Sequence, residues 1–336
     1  MTRRLQTAEV ERAVARRPTR ALRSIRPTAP WPAQGDNPDA KPADAPRAQE
    51  LSLRAMSCDT LPDSWAVAIV DWHCAGHDTA RGDLESAPTH EVVVPRRGTY
   101  VRELRGESSL VDAGTVTFSH PREGYRIRHP VSGGDVCTVF ALSAGAARDL
   151  LGPEARFAWA QSPLDGRGYL LHRLALRASR KAAVRPAAGL AAEEYATEFL
   201  GCVVGNGAAE AAGAGVVASG YAMRARAVVS QRYRERLTLA QIAAAVGCSP
   251  FHLSRRFTRA FGVPIWRYVV RLRLRDALER ILETRASLCE IGLATGFASQ
   301  SHFGDAFRAE FGCAPGRVRR LPGPVLAELR ARARIR

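Results

Sequence analysis

Two groups of side chains in this 336-residue chain have the types and spacings that chemistry needs. The first is histidine and cysteine: His73-Cys74-x-x-His77 in one short stretch, with His90 and His129 further on. Imidazole and thiolate bind first-row metals, but such a site needs three or four convergent donors. The expectation is therefore no metal and no cofactor. His73, His77, Arg96 and His129 are instead candidates for contact with a small-molecule ligand, and Cys137, inside an apolar run, reads as core. The second group is Phe251, His252, Ser254, Arg255, Thr258 and Arg259. A guanidinium such as Arg255 can pair bidentately with a guanine edge, and an aromatic such as Phe251 suits a thymine methyl. The competing use of each polar group is a phosphate contact, which carries no sequence information. Fifty residues on stand Gln300, Ser301, His302, Asp305 and Arg308, with Asp305 where the first set has Arg255. A carboxylate there repels phosphate and accepts only from an exposed cytosine or adenine amine. Base reading by the second set is expected to be the weaker.

These side chains need helices to carry them, and an internal repeat supplies two. Thr238–Gly262 and Ser287–Gly312 align at an offset of 49, then 50 after one extra residue in the turn. Thr238-x-x-Gln241 and Ser287-x-x-Glu290 are capping boxes that start a short helix. Gly247 and Gly296 end it where positive φ is easiest. Ser249, with Pro250 at the first helical position, caps the next helix, and Ser299 caps its counterpart. Leu253, Phe257, Ala260 and Phe261 recur on one face, which buries them and leaves the polar set outward. Helix, glycine turn, helix is the helix-turn-helix plan, whose second helix enters the DNA major groove. Between the copies, residues 264–284 start with Pro and contain no Gly. A helix of that length is roughly 30 Å long, close to one turn of B-DNA at about 34 Å. One chain can then set two recognition helices in successive major grooves.

The charge distribution agrees. The net charge of +16 is uneven: residues 221–336 carry 22 basic and 8 acidic side chains, whereas residues 51–220 carry 17 and 19. Only Lys41 and Lys181 are lysines, so a compositional preference for arginine accounts for some of the excess, but not for its position. A local basic block points to a polyanion. Residues 1–50, rich in Pro and Ala, read as a disordered tail. Residues 51–143 give short β-type runs at 65–72, 90–95, 99–104, 109–111, 114–118, 125–128 and 135–142, punctuated by Gly98, Gly106 and Ser132-Gly-Gly-Asp135; this pattern suggests an antiparallel sandwich or barrel. Helices are expected at 144–151, 168–180 and 190–204. Their apolar stripe, including Tyr195 and Phe199, offers either a dimer face or packing on the chain's own strands. Gly205 to Gly220 reads as a linker. Seven scattered cysteines with no CxxC pair fit a reduced, cytoplasmic setting. No run is apolar enough for a membrane span, and no secretory signal is visible.

With these motifs in place, the sequence resembles the AraC/XylS family of bacterial transcription regulators. The resemblance covers about residues 221–321. It is carried by Leu237-Thr-Leu-x-x-Ile-Ala, Gly247-Cys-Ser-Pro-x-His-Leu-Ser-Arg-Arg-Phe, Leu272-Arg-Leu-x-x-Ala277 and Ile291-x-x-Ala-x-Gly-Phe-x-Ser-Gln-Ser-His-Phe. Residues 58–204 are more loosely similar to the cupin-like sensor barrel of many members, through Val94-Pro-Arg-Arg-Gly98 and His129-Pro-Val-Ser-Gly-Gly-Asp135. The cupin metal pattern of His-x-His followed by Glu is missing. The resemblance implies an α+β multidomain chain. A cupin-like antiparallel β-barrel with helices for ligand sensing and dimerisation occupies 51–204, a linker 205–220 and an all-α double helix-turn-helix 221–322. Within the last, the units are 238–262 and 287–312, joined by a linker helix at 264–284, and a basic tail fills 323–336. It also implies a transcription regulator, with activator and repressor both open. Its partners are promoter DNA, a small-molecule effector, RNA polymerase and a second copy in a homodimer. The rival is a DNA reader fused to a cupin-type enzyme. Residues 51–220 hold neither a Pro-Cys-His reactive thiol nor a nucleophile elbow, so no enzymatic activity is expected.

Overall fold

The computed structural model describes residues 66–74, 82, 84–129, 134–182, 188–211 and 220–320. The expected tails at 1–50 and 323–336 and the candidate His77 lie outside them. Among the described residues eight strands form: β1 (Val67–Cys74), β2 (Leu84–Ser86), β3 (His90–Leu104), β4 (Glu107–Asp112), β5 (Thr115–Ser119), β6 (Gly124–Arg128), β7 (Asp135–Leu142) and β8 (Gln161–Pro163). The named strands all pair antiparallel, as the alternation implies. The main path is β1-β7-β3-β5-β8, with β4 and β6 also on β3, and β2 on β6. It ends at β1 and β8, so the described strands make an open sheet and not the closed barrel that the resemblance implied.

The sheet turns on β3. Residues 90–95 and 99–104 read as two strands about an Arg-Arg-Gly turn, yet they are one strand of 15 residues. Its register shifts between Pro95 and Arg97. Gly98 has φ +77, and a Cβ there would lie 2.1 Å from the carbonyl oxygen of Gly134. The glycine therefore bends the strand where two backbones approach, instead of ending it. The first half pairs with β5 and β7, the second with β4 and β6.

Three helices follow the pattern of apolar residues: α1 (Ala144–Leu151), α2 (Gly166–Ala182) and α3 (Gly189–Ala211). Tyr195, Phe199, Leu170, Leu171 and Leu174 are buried with Val92, Val116 and Phe140 of the sheet. The stripe that offered a dimer face is consumed inside the chain. Helix α3 also runs on to Ala211, into the segment read as a linker. Among the described residues seven further helices follow: α4 (Gly220–Arg232), α5 (Leu239–Val246), α6 (Pro250–Phe261), α7 (Ile265–Glu283), α8 (Leu288–Ala294), α9 (Gln300–Phe311) and α10 (Pro315–Arg320).

The cores do not divide where the linker was expected. One continuous core runs from Phe118 and Phe140 through Tyr169 and Phe199 into Leu278, Phe303, Phe307 and Phe311. The second helix-turn-helix unit thus shares its core with the sheet and α2. The first unit has its own cluster, built from Val229, Ile242, Leu253, Phe257 and Tyr268, which takes in only Ala113 from the sheet's β4–β5 turn. Among the described residues no helix is long and apolar enough to cross a membrane.

Candidate nucleic-acid interface

Local chemistry sets the two recognition helices, α6 and α9, in the same phase. Thr238 Oγ1 accepts from the Gln241 backbone N–H at 3.2 Å, and the Gln241 side chain accepts from the Thr238 N–H at 2.9 Å. Ser287 and Glu290 repeat this box at 3.1 and 2.7 Å. Gly247 at φ +74 and Gly296 at φ +91 make the turns. Ser249 and Ser299 then cap α6 and α9 through the N–H groups of His252 and His302. Leu253, Phe257, Phe303 and Phe307 are fully buried. That leaves Phe251, His252, Arg255, Thr258 and Arg259 exposed on α6, with Ser254 half-buried, and Gln300, Ser301, His302, Asp305 and Arg308 exposed on α9.

The two outer faces differ in chemistry. Phe251 is 72% exposed, a large aromatic that no core uses. The Arg255 guanidinium lies over its ring at 5.6 Å, so the two side chains are held together. On α9, Asp305 accepts from Arg308 Nη1 at 3.1 Å. The carboxylate is thus not alone, and it occupies the cation that would otherwise face outward. Helix α7 spaces the units. Its 19 residues span about 28 Å, between Pro264 and Thr284 as the sequence implies.

What the sequence reading missed is how α7 is held. Arg275, Asp276 and Glu279 on this helix are buried. Arg275 donates to the backbone carbonyls of Ala113 and Leu164. Glu279 sits 3.1 Å from Arg97 and 3.4 Å from Arg96 of β3. Glu283, at the helix end, pairs with Arg173 of α2 at 2.5 Å. Burial pushes the Glu279 carboxyl up, but Arg173, Arg96 and Arg97 outweigh it and hold it below the usual range. Next to this, fully buried Asp112 of β4 accepts from Arg226 of α4 at 2.6 and 2.7 Å, from Ser230 at 2.9 Å, and from Tyr268 of α7. Burial raises this carboxyl too. The Arg226 charge and the hydrogen bonds from Arg226, Tyr268 and Gly114 bring it down to about 2. The only signal of these contacts in the sequence is charge at positions that a helix-turn-helix spacer does not need.

A cavity of about 640 Å³ lies between β3, β7, α4 and α7, with Arg96, Thr99, Val136, Arg234 and Arg275 in its wall. Of the three ligand candidates among the described residues, Arg96 alone lines it. His73 lies 3.4 Å from Asp71, and His129 binds Asp135 at 2.6 Å. Hydrogen bonds to Asp135 and Cys74 push the His129 imidazole up to about 10. The structure does not gather His73, His90 and His129; His90 packs edge-on to His120 and Phe157.

Residues 242–321 match the helix-turn-helix domain family. The regulator GlxA of Rhizobium meliloti is 37% identical over 93 residues, which is 28% of this chain and 28% of that protein. The probable transcription factor PqrA of Proteus vulgaris is 33% identical over 85 residues, 25% of this chain but 70% of that protein. This chain belongs to the AraC family of helix-turn-helix transcription regulators. An AraC-type DNA-binding protein from Chromobacterium violaceum, of known structure, is 32% identical; the match covers 31% of this chain and 95% of that one, at a TM-score of 0.29. The chain spans under half the length of the first curated relatives that it matches. The match falls on the helix-turn-helix region, where α6 and α9 are the two candidate readers.

Proposed function

We propose that this regulator reads a specific promoter sequence through α6 and α9 and changes its grip on DNA when a small effector binds its N-terminal half. The observation that carries the reading is that α7, the spacer of both readers, is clamped by β3 and α2 beside the cavity. A ligand there touches the groups that position the readers, and it shifts activity by binding one arrangement better than the other. The chemistry of the wall favours a small, polar, hydrogen-bond-accepting effector. Arg96 Nε, Arg275 Nε and Thr99 Oγ1 are buried with no hydrogen-bond partner among the described residues. Arg255 with Phe251 supplies most of the base reading, and the remaining cations grip phosphate. RNA polymerase is the partner at the promoter. In a homodimer each chain would bring both readers to its own half-site.

A genome-wide binding map gives the operator, and footprinting on it should protect about two successive turns of one DNA face. Thermal-shift screening of metabolites against the full chain should then find a compound that also changes operator affinity. Val136→Trp, which fills the cavity, should abolish both effects and leave basal DNA binding intact. A compound that acts equally on Val136→Trp would place the effector elsewhere.

A further inference from the structure

We infer that Cys74, His129 and Asp135 form a binding site for one zinc-class divalent cation in the wall of the N-terminal sheet. Three elements converge to build it. Cys74 ends β1 and Asp135 begins β7, and the two are direct cross-strand partners, so their side chains share one face. His129 comes from the segment after β6 and lies 2.6 Å from Asp135 Oδ1. One donor atom from each residue lies within 4.8 Å of the other two. Zinc at about 2.0 Å from nitrogen and 2.3 Å from sulfur sets tetrahedral donors roughly 3.5 Å apart. Side-chain rotation of about 1 Å covers that difference, with no backbone change. The ion would replace the direct contact between His129 and Asp135.

The donor set also selects the ion. Thiolate, imidazole and carboxylate together suit a borderline-soft cation and not magnesium or calcium, which want oxygen alone. A thiolate and a carboxylate cancel two positive charges, so a divalent ion leaves the buried site neutral, as a low-dielectric setting requires. Arg96, the nearby cation, is already committed to Asp71 and Glu279. The Cys137 thiol donates to the second oxygen of Asp135 at 3.0 Å and orients the carboxylate from behind. Cys74 is half-exposed and Asp135 borders the cavity, which gives the ion a route in. None of this uses the cupin metal motif, whose absence led to the expectation of no metal.

The test uses the full reduced chain, stripped with a chelator and titrated with Zn²⁺ against a chromogenic competitor. Co²⁺ serves as the spectroscopic probe and Mg²⁺ as the hard-ion control. One equivalent of Zn²⁺ should bind, and Co²⁺ should give a thiolate charge-transfer band with tetrahedral d–d absorption. Cys74→Ala and His129→Gln should each weaken Zn²⁺ binding by about 100-fold or more and remove that band, while the exposed Cys289→Ala changes neither. Zn²⁺ should raise the melting temperature of the wild type and of Cys289→Ala but not of the two site variants. A variant that fails to fold is replaced by Cys74→Ser, which keeps the side-chain shape. No tight equivalent, or a charge-transfer band that survives in the Cys74 variants, would overturn the assignment. The readout is metal binding itself, so the result is independent of whether any effector acts through the cavity.

Discussion

Removing the carboxylate of Asp112 should undock the first reading unit from the sheet. In Asp112→Ala, the Arg226 guanidinium loses both of its contacts at 2.6 and 2.7 Å, while Ser230 and Tyr268 lose an acceptor. Two magnitudes bear on the cost. A carboxyl held at about 2 instead of 3.8 corresponds to ~2 kcal/mol of preference for the charged, docked form. Truncation goes further, because it leaves a buried cation without its anion, and that costs about 3–5 kcal/mol. The larger figure applies only while the docked state persists. If undocking is cheaper, the chain escapes that way and Arg226 returns to water. The expected phenotype is therefore faster amide exchange across α4–α6 with α9 still protected, and a loss in denaturant stability of about 2–4 kcal/mol. Asp112→Leu with Arg226→Met should recover most of the loss, since a buried ion pair can be replaced by apolar groups at little cost. Hydrogen exchange by mass spectrometry and urea denaturation of the three proteins decide it. Equal destabilisation of the single and double variants, or exchange that rises equally in α9, would refute the reasoning.

Three further outcomes are expected. Acid should weaken the same contact: a depressed carboxyl stabilises fully above its unfolded value of 3.8 and loses that stability as pH falls toward about 2; protection of α4–α6 amides, relative to their intrinsic exchange at each pH, should therefore be flat between pH 7 and 5 and fall only below about 4. Arg255→Ala should cost about 1–3 kcal/mol at one operator base pair, read from binding to single-base operator variants; a uniform loss over all sequences would mean a phosphate contact. Asp305→Asn should free Arg308, tighten DNA binding and steepen its salt dependence by about one unit, and an unchanged slope would mean that α9 does not face DNA.

The reading units were legible because their determinants are local. Capping boxes three residues apart, a glycine in the turn and an apolar face repeating within one helix need no distant partner, so Thr238, Gly247, Ser249 and their counterparts announce the structure directly. The clamp on α7 was not legible, since its pairs are remote: Arg97 and Glu279 are 182 positions apart, and Arg173 and Glu283 are 110. Nothing in a single sequence says which of 47 arginines finds which carboxylate. Strand β3 misled for a different reason. Arg-Arg-Gly has the composition of a turn, but Arg96 and Arg97 are bound to Glu279 and Gly98 serves a bend. The Cys74, His129 and Asp135 group was hidden in part by its chain order, with the two cross-strand partners 61 positions apart. Asp305 was visible, but its pairing with Arg308 depends on side-chain rotamers that the spacing permits and does not dictate.

The two cores also bear on which reader an effector can move. Freeing the second unit from the sheet would expose Leu278, Phe303, Phe307 and their neighbours, each of which holds about 1.5–3 kcal/mol in burial. Freeing the first breaks the polar seal at Asp112 and the contact of Ala113, and both charged partners regain water when they part. Coupling free energies between sites are typically about 1–3 kcal/mol. That range reaches the seal and falls short of the shared core. On the proposed function, an effector between β3 and α7 would therefore release or re-aim α6 and leave α9 fixed to the sheet. The movable unit is the one that carries Arg255 stacked on exposed Phe251, and the fixed unit is the one whose Arg308 is tied to Asp305. On the proposed function the stronger base reading sits on the part that would move, so a small rearrangement at the seal should change operator affinity more than an equal one at α9.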